Sequence, residues 1–271
     1  MASGRGCENP GIARRLERHA RTVIEVKSLA TILFAVAALC MAAATQADGN
    51  SVVQARLARQ LGISASAVTL TPVPGLYRVT IGPQVAYVSA DGRYLVRGDI
   101  INLQNGDNLT SSERDAARLA YLKQVAPGDL LVFAPAHVKQ TITVFTDIDC
   151  AYCRVLEHDR PQLNAMGIAV QYLFFPRDGR GSASWQQAVD VWCASDRKAA
   201  FEAAMQGVTP KPAHCDAAAV AAGYKFGQLL GLDGTPAILT DRGQLIDGYL
   251  PPADLAQILS ASPAGSQSDP H

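Results

Sequence analysis

A run of β-branched and aromatic residues, Thr141-Ile142-Thr143-Val144-Phe145-Thr146, is followed after three intervening residues by Cys150-Ala151-Tyr152-Cys153. The run has the pattern of a buried strand. The residues after it predict a helix from Cys150, with Val155 and Leu156 facing inward. A Cys-x-x-Cys between a strand and a helix sets its first cysteine over the helix N-terminus, where partial positive charge favours thiolate over thiol. The pKa then falls from about 8.5 into the range ~3.5–7.5, and the sulfur becomes a nucleophile. A second cysteine one turn on is placed to attack a mixed disulfide and release it. Cys150 is therefore the expected nucleophile and Cys153 the expected resolving thiol.

Two other chemistries use the same four residues. Half of a zinc site would need two further ligands at close spacing, whereas Cys193 and Cys215 stand far apart and His214-Cys215 is not a ligand pair of the usual spacing. No metal is expected. A purely structural 150–153 bridge would close a very small loop and stabilise little.

The remaining cysteines depend on where the chain resides. Residues 1–28 carry six basic side chains, Leu29 to Ala44 is an apolar stretch of 16 residues, and small residues follow to Ala47. That order is basic, apolar, small, and it predicts a cleavable signal peptide over residues 1–47; the apolar stretch is short for a membrane span of ~20 residues. The alternative is an uncleaved anchor. A lipoprotein acceptor at Cys40 would need a small residue before it, and Leu39 stands there. Beyond residue 47 the chain keeps 18 basic and 21 acidic residues, a net charge of −3, with no basic stripe. Nucleic acid is not an expected partner.

Four cysteines remain after residue 47, and an even count in an exported chain points to two disulfides. They allow three connectivities; pairing neighbours gives 150–153 and 193–215. A bridge from Cys193 to Cys215 would close about 23 residues and contribute roughly 3 kcal/mol in the chain-entropy description. It reads as a structural staple, with a second redox pair as the alternative.

The rest of the chain divides by pattern. Ser51 to Leu61 has helical spacing and stops at Gly62. Leu76–Ile81, Val85–Ser89 and Tyr94–Val96 are β-prone runs, punctuated by Gly82-Pro83 and by the hairpin signal Asp91-Gly92. A further candidate strand pair spans Gly98 to Leu103. One helix and a small antiparallel sheet over residues 48–107 is little for an independent core, and such modules often complete themselves by dimerising. Thr110-Ser-Ser-Glu113 fits a capping box and opens a connecting helix from about residue 111 to 125, within a linker at 108–127. Residues 128–261 then alternate strand and helix: Ile168–Phe175 as a strand, an Ala-rich helical region over 184–230, a hairpin around Asp241-Arg242-Gly243, and a last helix at Leu255–Leu259. The fold class is α+β in layers, with a polar tail at 262–271.

With these residues in place, the sequence resembles the DsbC family of bacterial disulfide isomerases along nearly all of the chain beyond the leader. The matching segments are Thr141–Asp147 with Cys150–Cys153, Tyr172-Leu-Phe-Phe-Pro-Arg177, Trp192-Cys193 with Cys215-Asp216, Leu232-Asp-Gly-Thr-Pro-Ala237, and Gly248-Tyr-Leu-Pro-Pro252. The resemblance implies a cystatin-like N-terminal dimerisation domain, a linker helix and a C-terminal thioredoxin fold with a helical insertion. It implies a V-shaped homodimer around an apolar cleft, misfolded secreted proteins as substrates, and a DsbD-like membrane reductase as electron donor in the periplasm. No cofactor is implied. Thr235-Pro236 would hold a cis peptide beside Cys150 and offer backbone to an extended substrate.

Three further residues are expected to tune the site. Asp149, where a small or neutral residue is expected, would oppose the thiolate. Asp147 would cap the active-site helix, or else relay protons to Cys153. Tyr152 lies between the two cysteines. The reaction these features imply is isomerisation or reduction of wrong disulfides, with a DsbG-like reductase of lone oxidised cysteines as the alternative; that subfamily usually lacks a second disulfide. A holdase chaperone is the rival from outside the enzyme class.

Overall fold

The computed structural model describes residues 49–261. The leader, Cys7, Cys40 and the polar tail lie outside the described residues. Among those described, no helix is long and apolar enough to cross a membrane.

Helix α1 runs through residues 49–61 and gives way at Gly62, whose φ of 67° suits a residue without Cβ. Four strands follow: β1 (Val68–Leu70), β2 (Leu76–Ile81), β3 (Gln84–Ser89) and β4 (Leu95–Val96). They pair in sequence order, each antiparallel to the next. The β3–β4 hairpin turns at Asp91-Gly92, where Asp91 Oδ1 accepts the Arg93 amide and the Ser89 hydroxyl. The strand pair expected over Gly98 to Leu103 does not form; only a single bridge joins Ile101 to Asn108.

Helix α2 (Leu109–Leu122) begins on a different cap from the one the sequence suggests. Asn108 Oδ1 accepts the Thr110 and Ser111 amides at 2.9 and 3.0 Å. Thr110 is instead buried, hydrogen-bonded to the Tyr87 hydroxyl and accepting the Ile100 amide. Glu113 pairs with Arg78. The capping box fails because both its members are drawn onto the sheet that α2 covers, where Ala117 packs on Val85 and Tyr87.

The second sheet has the order β5-β7-β6-β8-β9, formed by β5 (Leu131–Phe133), β6 (Gln140–Thr146), β7 (Ile168–Phe174), β8 (Ala237–Thr240) and β9 (Leu245–Asp247). Strands β6 and β7 are parallel, joined by helix α3 (Ala151–Ala165); the other pairs are antiparallel. Strand β5 is too short to leave a periodic signal of its own. The sheet is apolar on both faces, as a sheet covered twice must be. Ile142, Val144, Ile168, Val170, Tyr172 and Ile238 face the core that contains Leu156 and Leu163 of α3. Phe145, Leu173 and Leu239 face the other way, toward Phe226. Burying a side chain such as Phe226, 0% exposed, stabilises by roughly 1.5–3 kcal/mol.

Between β7 and β8 stand α4 (Ala183–Trp192), α5 (Arg197–Met205) and α6 (Ala218–Leu230), and α7 (Pro252–Ser260) closes the described chain. Ser182 caps α4 by accepting the Trp185 amide, and Asp196 caps α5 through the Lys198 and Ala199 amides. Helix α6 lies so near β7 that a Cβ at Gly223 would come 2.8 Å from the Phe174 carbonyl oxygen. The turn at Asp241–Gly243 abuts α2: a Cβ on Gly243 would lie 2.2 Å from the Asp115 carbonyl oxygen, and Arg118 donates to the Gly243 carbonyl.

Candidate functional site

The site is built where β6 ends and α3 begins. Cys150 is itself the N-cap of α3, in extended conformation, and its sulfur accepts the Cys153 amide at 3.2 Å. Asp147 is therefore not the helix cap. A cap must reach the amides of the first turn, and the Asp147 carboxylate is engaged elsewhere. Its Oδ1 accepts the Asp149 amide at 3.1 Å, while Oδ2 accepts both the backbone amide and Nε of Arg177 at 3.0 Å. Arg177 Nη2 also donates to the Asp149 carbonyl at 2.7 Å. Asp147, 2% exposed, is thus a strut that ties the loop before Cys150 to the end of β7.

Both active-site thiols are free and have little accessible area, with Cys150 nearer the surface than Cys153. The Cys150 thiol is brought down from 9.0 to about 6. The largest cause is the hydrogen bond from the Cys153 thiol; the Thr235 side chain, the Cys153 amide and the Arg177 charge add to it, and burial opposes. Cys153 moves the other way. Burial pushes its thiol far up, and the neighbouring Cys150 sulfur adds to the effect. Two cysteines one turn apart are thus separated into a thiolate and a thiol at neutral pH.

The Thr235–Pro236 peptide is cis. The Cys150 thiol, when protonated, donates to the Thr235 carbonyl at 3.2 Å. Thr235 Oγ1 is buried, has no conventional hydrogen-bond partner, and lies within electrostatic reach of both sulfurs. The Gly248 amide donates to the Pro236 carbonyl and anchors the loop.

Asp149 is turned outward. Its side chain is 76% exposed and lies 3.7 Å from Arg154, a solvent-screened pair. The expectation that it opposes the thiolate fails on this orientation, since the groups that set Cys150 are Cys153, Thr235 and Arg177. Tyr152, 64% exposed, stacks on Tyr249 with centroids 6.4 Å apart. The Tyr249 hydroxyl donates to Asp159 at 2.6 Å. Val155, expected inward, is 41% exposed, and Leu156 alone of that pair enters the core.

Cys193, at the end of α4, and Cys215, just before α6, form a disulfide with Cα atoms 5.4 Å apart. Nearby, the buried Asp190 carboxylate accepts the Ala213 amide and holds the same loop. Among the described residues no three His, Cys, Asp or Glu side chains gather as a metal site.

Three residues at the site carry no role in the sequence reading. Arg177 stands 27 residues beyond Cys150, and no spacing rule links a strand end to a distant helix start. Glu157 and Tyr172 are joined through a buried hydrogen bond. The one available sign was a Glu placed four residues after Cys153, on the apolar face of α3.

A thiolate at a helix tip, a buried thiol one turn along and a cis-proline loop beside them define a thiol–disulfide oxidoreductase of the thioredoxin-like class. Residues 129–262 match the thioredoxin-like domain family, and residues 41–111 match the family described as disulfide bond isomerase protein N-terminal domain. The chain is 34% identical over 239 residues to the thiol:disulfide interchange protein DsbC of Dickeya dadantii, covering 88% of this chain and 97% of that protein. It is 34% identical over 216 residues to the Escherichia coli K12 protein of the same name, covering 79% and 88%. A crystal structure of a disulfide interchange protein from Neisseria gonorrhoeae is similar at 28% identity and a TM-score of 0.44, covering 48% of this chain and 93% of that one. The chain belongs to the DsbC family of thiol:disulfide interchange proteins.

Proposed function

We propose that the protein isomerises and reduces wrong disulfides in exported proteins, with Cys150 as nucleophile and Cys153 as resolving thiol. The observation that carries this reading is the Cys150 sulfur at the N-cap of α3, drawn down to about 6 beside a Cys153 held as thiol. The Cys150 thiolate attacks a substrate disulfide and one substrate sulfur leaves. A second substrate thiol then attacks the mixed disulfide and a new substrate bridge closes, or Cys153 attacks it and the substrate departs reduced. Thr235 presents its carbonyl beside Cys150, where an extended client segment can pair strand-fashion.

The protein works in the periplasm after loss of residues 1–47 and takes electrons from a DsbD-like membrane reductase. Residues 48–107 join two copies, residues 108–127 link them to the catalytic domain at 128–261, and Cys193–Cys215 is a structural staple. Strand β4 supports the homodimer: it is an edge strand whose Leu95 and Val96 are about half exposed, and the exposed Tyr94 precedes it.

Reactivation of scrambled ribonuclease tests the reading. The mature protein is expected to restore activity and Cys150→Ala to abolish it. Equal recovery with Cys150→Ala would identify a holdase chaperone instead.

A further inference from the structure

Two tyrosines beside the catalytic cysteines take no part in sulfur exchange. Tyr152 lies between Cys150 and Cys153, and its ring stacks on Tyr249 with the planes 20° apart. Contacts join this pair to the nucleophile in a closed circuit. Cys150 Sγ meets the Thr235 carbonyl at 3.2 Å. The next residue, Pro236, accepts the Gly248 amide at 2.9 Å. Tyr249 follows Gly248 and returns to Tyr152, two residues from Cys150. The sulfur, the cis-proline loop and the tyrosine pair are therefore contiguous.

The pair is anchored through Tyr249. That ring packs against the core of the catalytic domain, and its hydroxyl donates to Asp159 Oδ2 at 2.6 Å. A bond to a carboxylate is stronger than a neutral one and fixes the direction of the ring. Tyr152 instead stands out from the core, 64% exposed. Tyr152, Val155 and Asp159 fall at i, i+3 and i+7, on one face of α3. Val155 is itself 41% exposed. A lone exposed apolar side chain needs no explanation. Here an aromatic ring and a valine adjoin on the first turns of the helix that carries the nucleophile.

The reaction determines what covers this surface. When the Cys150 thiolate attacks, its sulfur bonds to one client sulfur. The other client sulfur leaves as a thiolate with the electron pair of the broken bond. The client chain is then tethered at Cys150. The Cα atoms of Cys150 and Tyr152 are no more than about 7 Å apart, so a side chain flanking the client cysteine reaches the tyrosine pair. A stacked ring with much of its surface in solvent suits a further ring, because aromatic faces and edges carry opposite partial charge.

We propose that Tyr152 and Tyr249 form a subsite for an aromatic side chain flanking the client cysteine, with Asp159 as the positioning residue that holds it. The subsite favours cysteines beside Phe, Tyr or Trp, large apolar residues that a folded protein mostly buries and a wrongly bridged chain exposes. This deepens the reading of Cys150 as the nucleophile and rests on it.

Single-turnover cleavage of disulfide-linked peptide pairs tests the subsite. The two peptides of a pair are identical except for a fluorophore on one and a quencher on the other. Both residues flanking the cysteine are Phe, cyclohexylalanine or Gly. Reduced protein is held in excess, and each rate is divided by that of dithiothreitol on the same pair. Wild type should cleave the Phe pair about tenfold faster than the Gly pair, with cyclohexylalanine between them. Tyr152→Ser should bring the Phe-to-Gly ratio close to one. A ratio taken within one variant cancels any change in the thiolate itself. Tyr249→Phe and Asp159→Ala loosen the ring without removing it, and should lower the ratio by a smaller, shared factor. Equal rates for Phe and Gly in wild type, a ratio that survives Tyr152→Ser, or a Phe pair no faster than the cyclohexylalanine pair would each overturn the proposal. A wild-type protein that cleaves none of the pairs, Gly included, would overturn Cys150 as nucleophile and the subsite with it.

Discussion

The sulfur of Cys150 and the carbonyl oxygen of Thr235 lie 3.2 Å apart although 85 residues separate them in the chain. The contact brings the nucleophile against the backbone of the cis-proline loop, and it exists because β6 and β8 are neighbours in the sheet. The groups that tune the sulfur come from three elements: Cys153 from α3, Thr235 from the loop before β8, and Arg177 from the end of β7, the neighbour of β6 on its other side.

Titration of Cys150, followed by thiolate absorbance near 240 nm, is expected to show a midpoint of about 6, with Cys153 silent through the accessible range. The Cys153 thiol is the largest cause, so Cys153→Ala should raise the midpoint more than any other single change at the site. The stability consequence follows from the sign. A folded value of about 6 against the ordinary 9.0 means that the unfolded chain binds the extra proton between those limits. The thiolate's contribution is full above about 9, declines as pH falls, and is gone below about 6. It amounts to at most roughly 4 kcal/mol. Urea midpoints of reduced wild type minus those of Cys150→Ala should therefore grow from pH 6 to 8.5; a flat difference would mean that the thiol is not perturbed.

The staple between Cys193 and Cys215 ties the end of α4 to the start of α6. Cys193→Ala with Cys215→Ala should cost roughly 3 kcal/mol from the loop released in the unfolded chain, read as a lower urea midpoint. The Cys150 titration should not move. A shifted thiolate midpoint would make the pair part of the redox site.

Strands β2 and β3 were legible as short β-prone runs between turn signals, β6, β7 and β8 as short unbroken runs of apolar and β-branched residues, and the Cys-x-x-Cys because its spacing is local. What remained hidden shares one trait. Arg177 meets Asp147 across 30 residues, Tyr172 meets Glu157 across 15, and Thr110 abandons its expected cap for Tyr87 across 23. Each is a polar group whose partner is chosen by strand order, and strand order leaves no periodic mark. Asp147 illustrates the error in detail: Asp is a good cap type, but a local rule does not know that Arg177 is nearer.

Asp149→Thr isolates one such correction. With the carboxylate 76% exposed and beside Arg154, the substitution should leave the Cys150 midpoint within a few tenths of a unit. A clear fall in the midpoint would restore Asp149 as a tuning group.

Helix α6 reaches β7 through two glycines. A Cβ at Gly227 would fall 2.3 Å from Phe175 Cδ2, and one at Gly223 would meet the Phe174 backbone. Either residue changed to Ala should destabilise by about 1–3 kcal/mol. Gly223→Ala should cost more, because a ring can turn aside and a strand carbonyl cannot. Chemical denaturation of both variants checks the order.

Arg177 has three tasks that substitution can separate. Its guanidinium neutralises the buried Asp147 carboxylate, braces the Asp149 carbonyl and adds positive charge near the Cys150 sulfur. Arg177→Met removes all three. It should raise the Cys150 midpoint and destabilise the fold by about 1–3 kcal/mol, less than a fully buried pair would cost because the Arg177 side chain is 41% exposed. The backbone amide of residue 177 still donates to Asp147, which limits the loss. Arg177→Lys keeps the charge but not the fork of donors, so it should hold most of the thiolate midpoint while losing part of the stability. If both variants titrate like wild type, the cation does not act on the thiolate and its work is confined to bracing the loop.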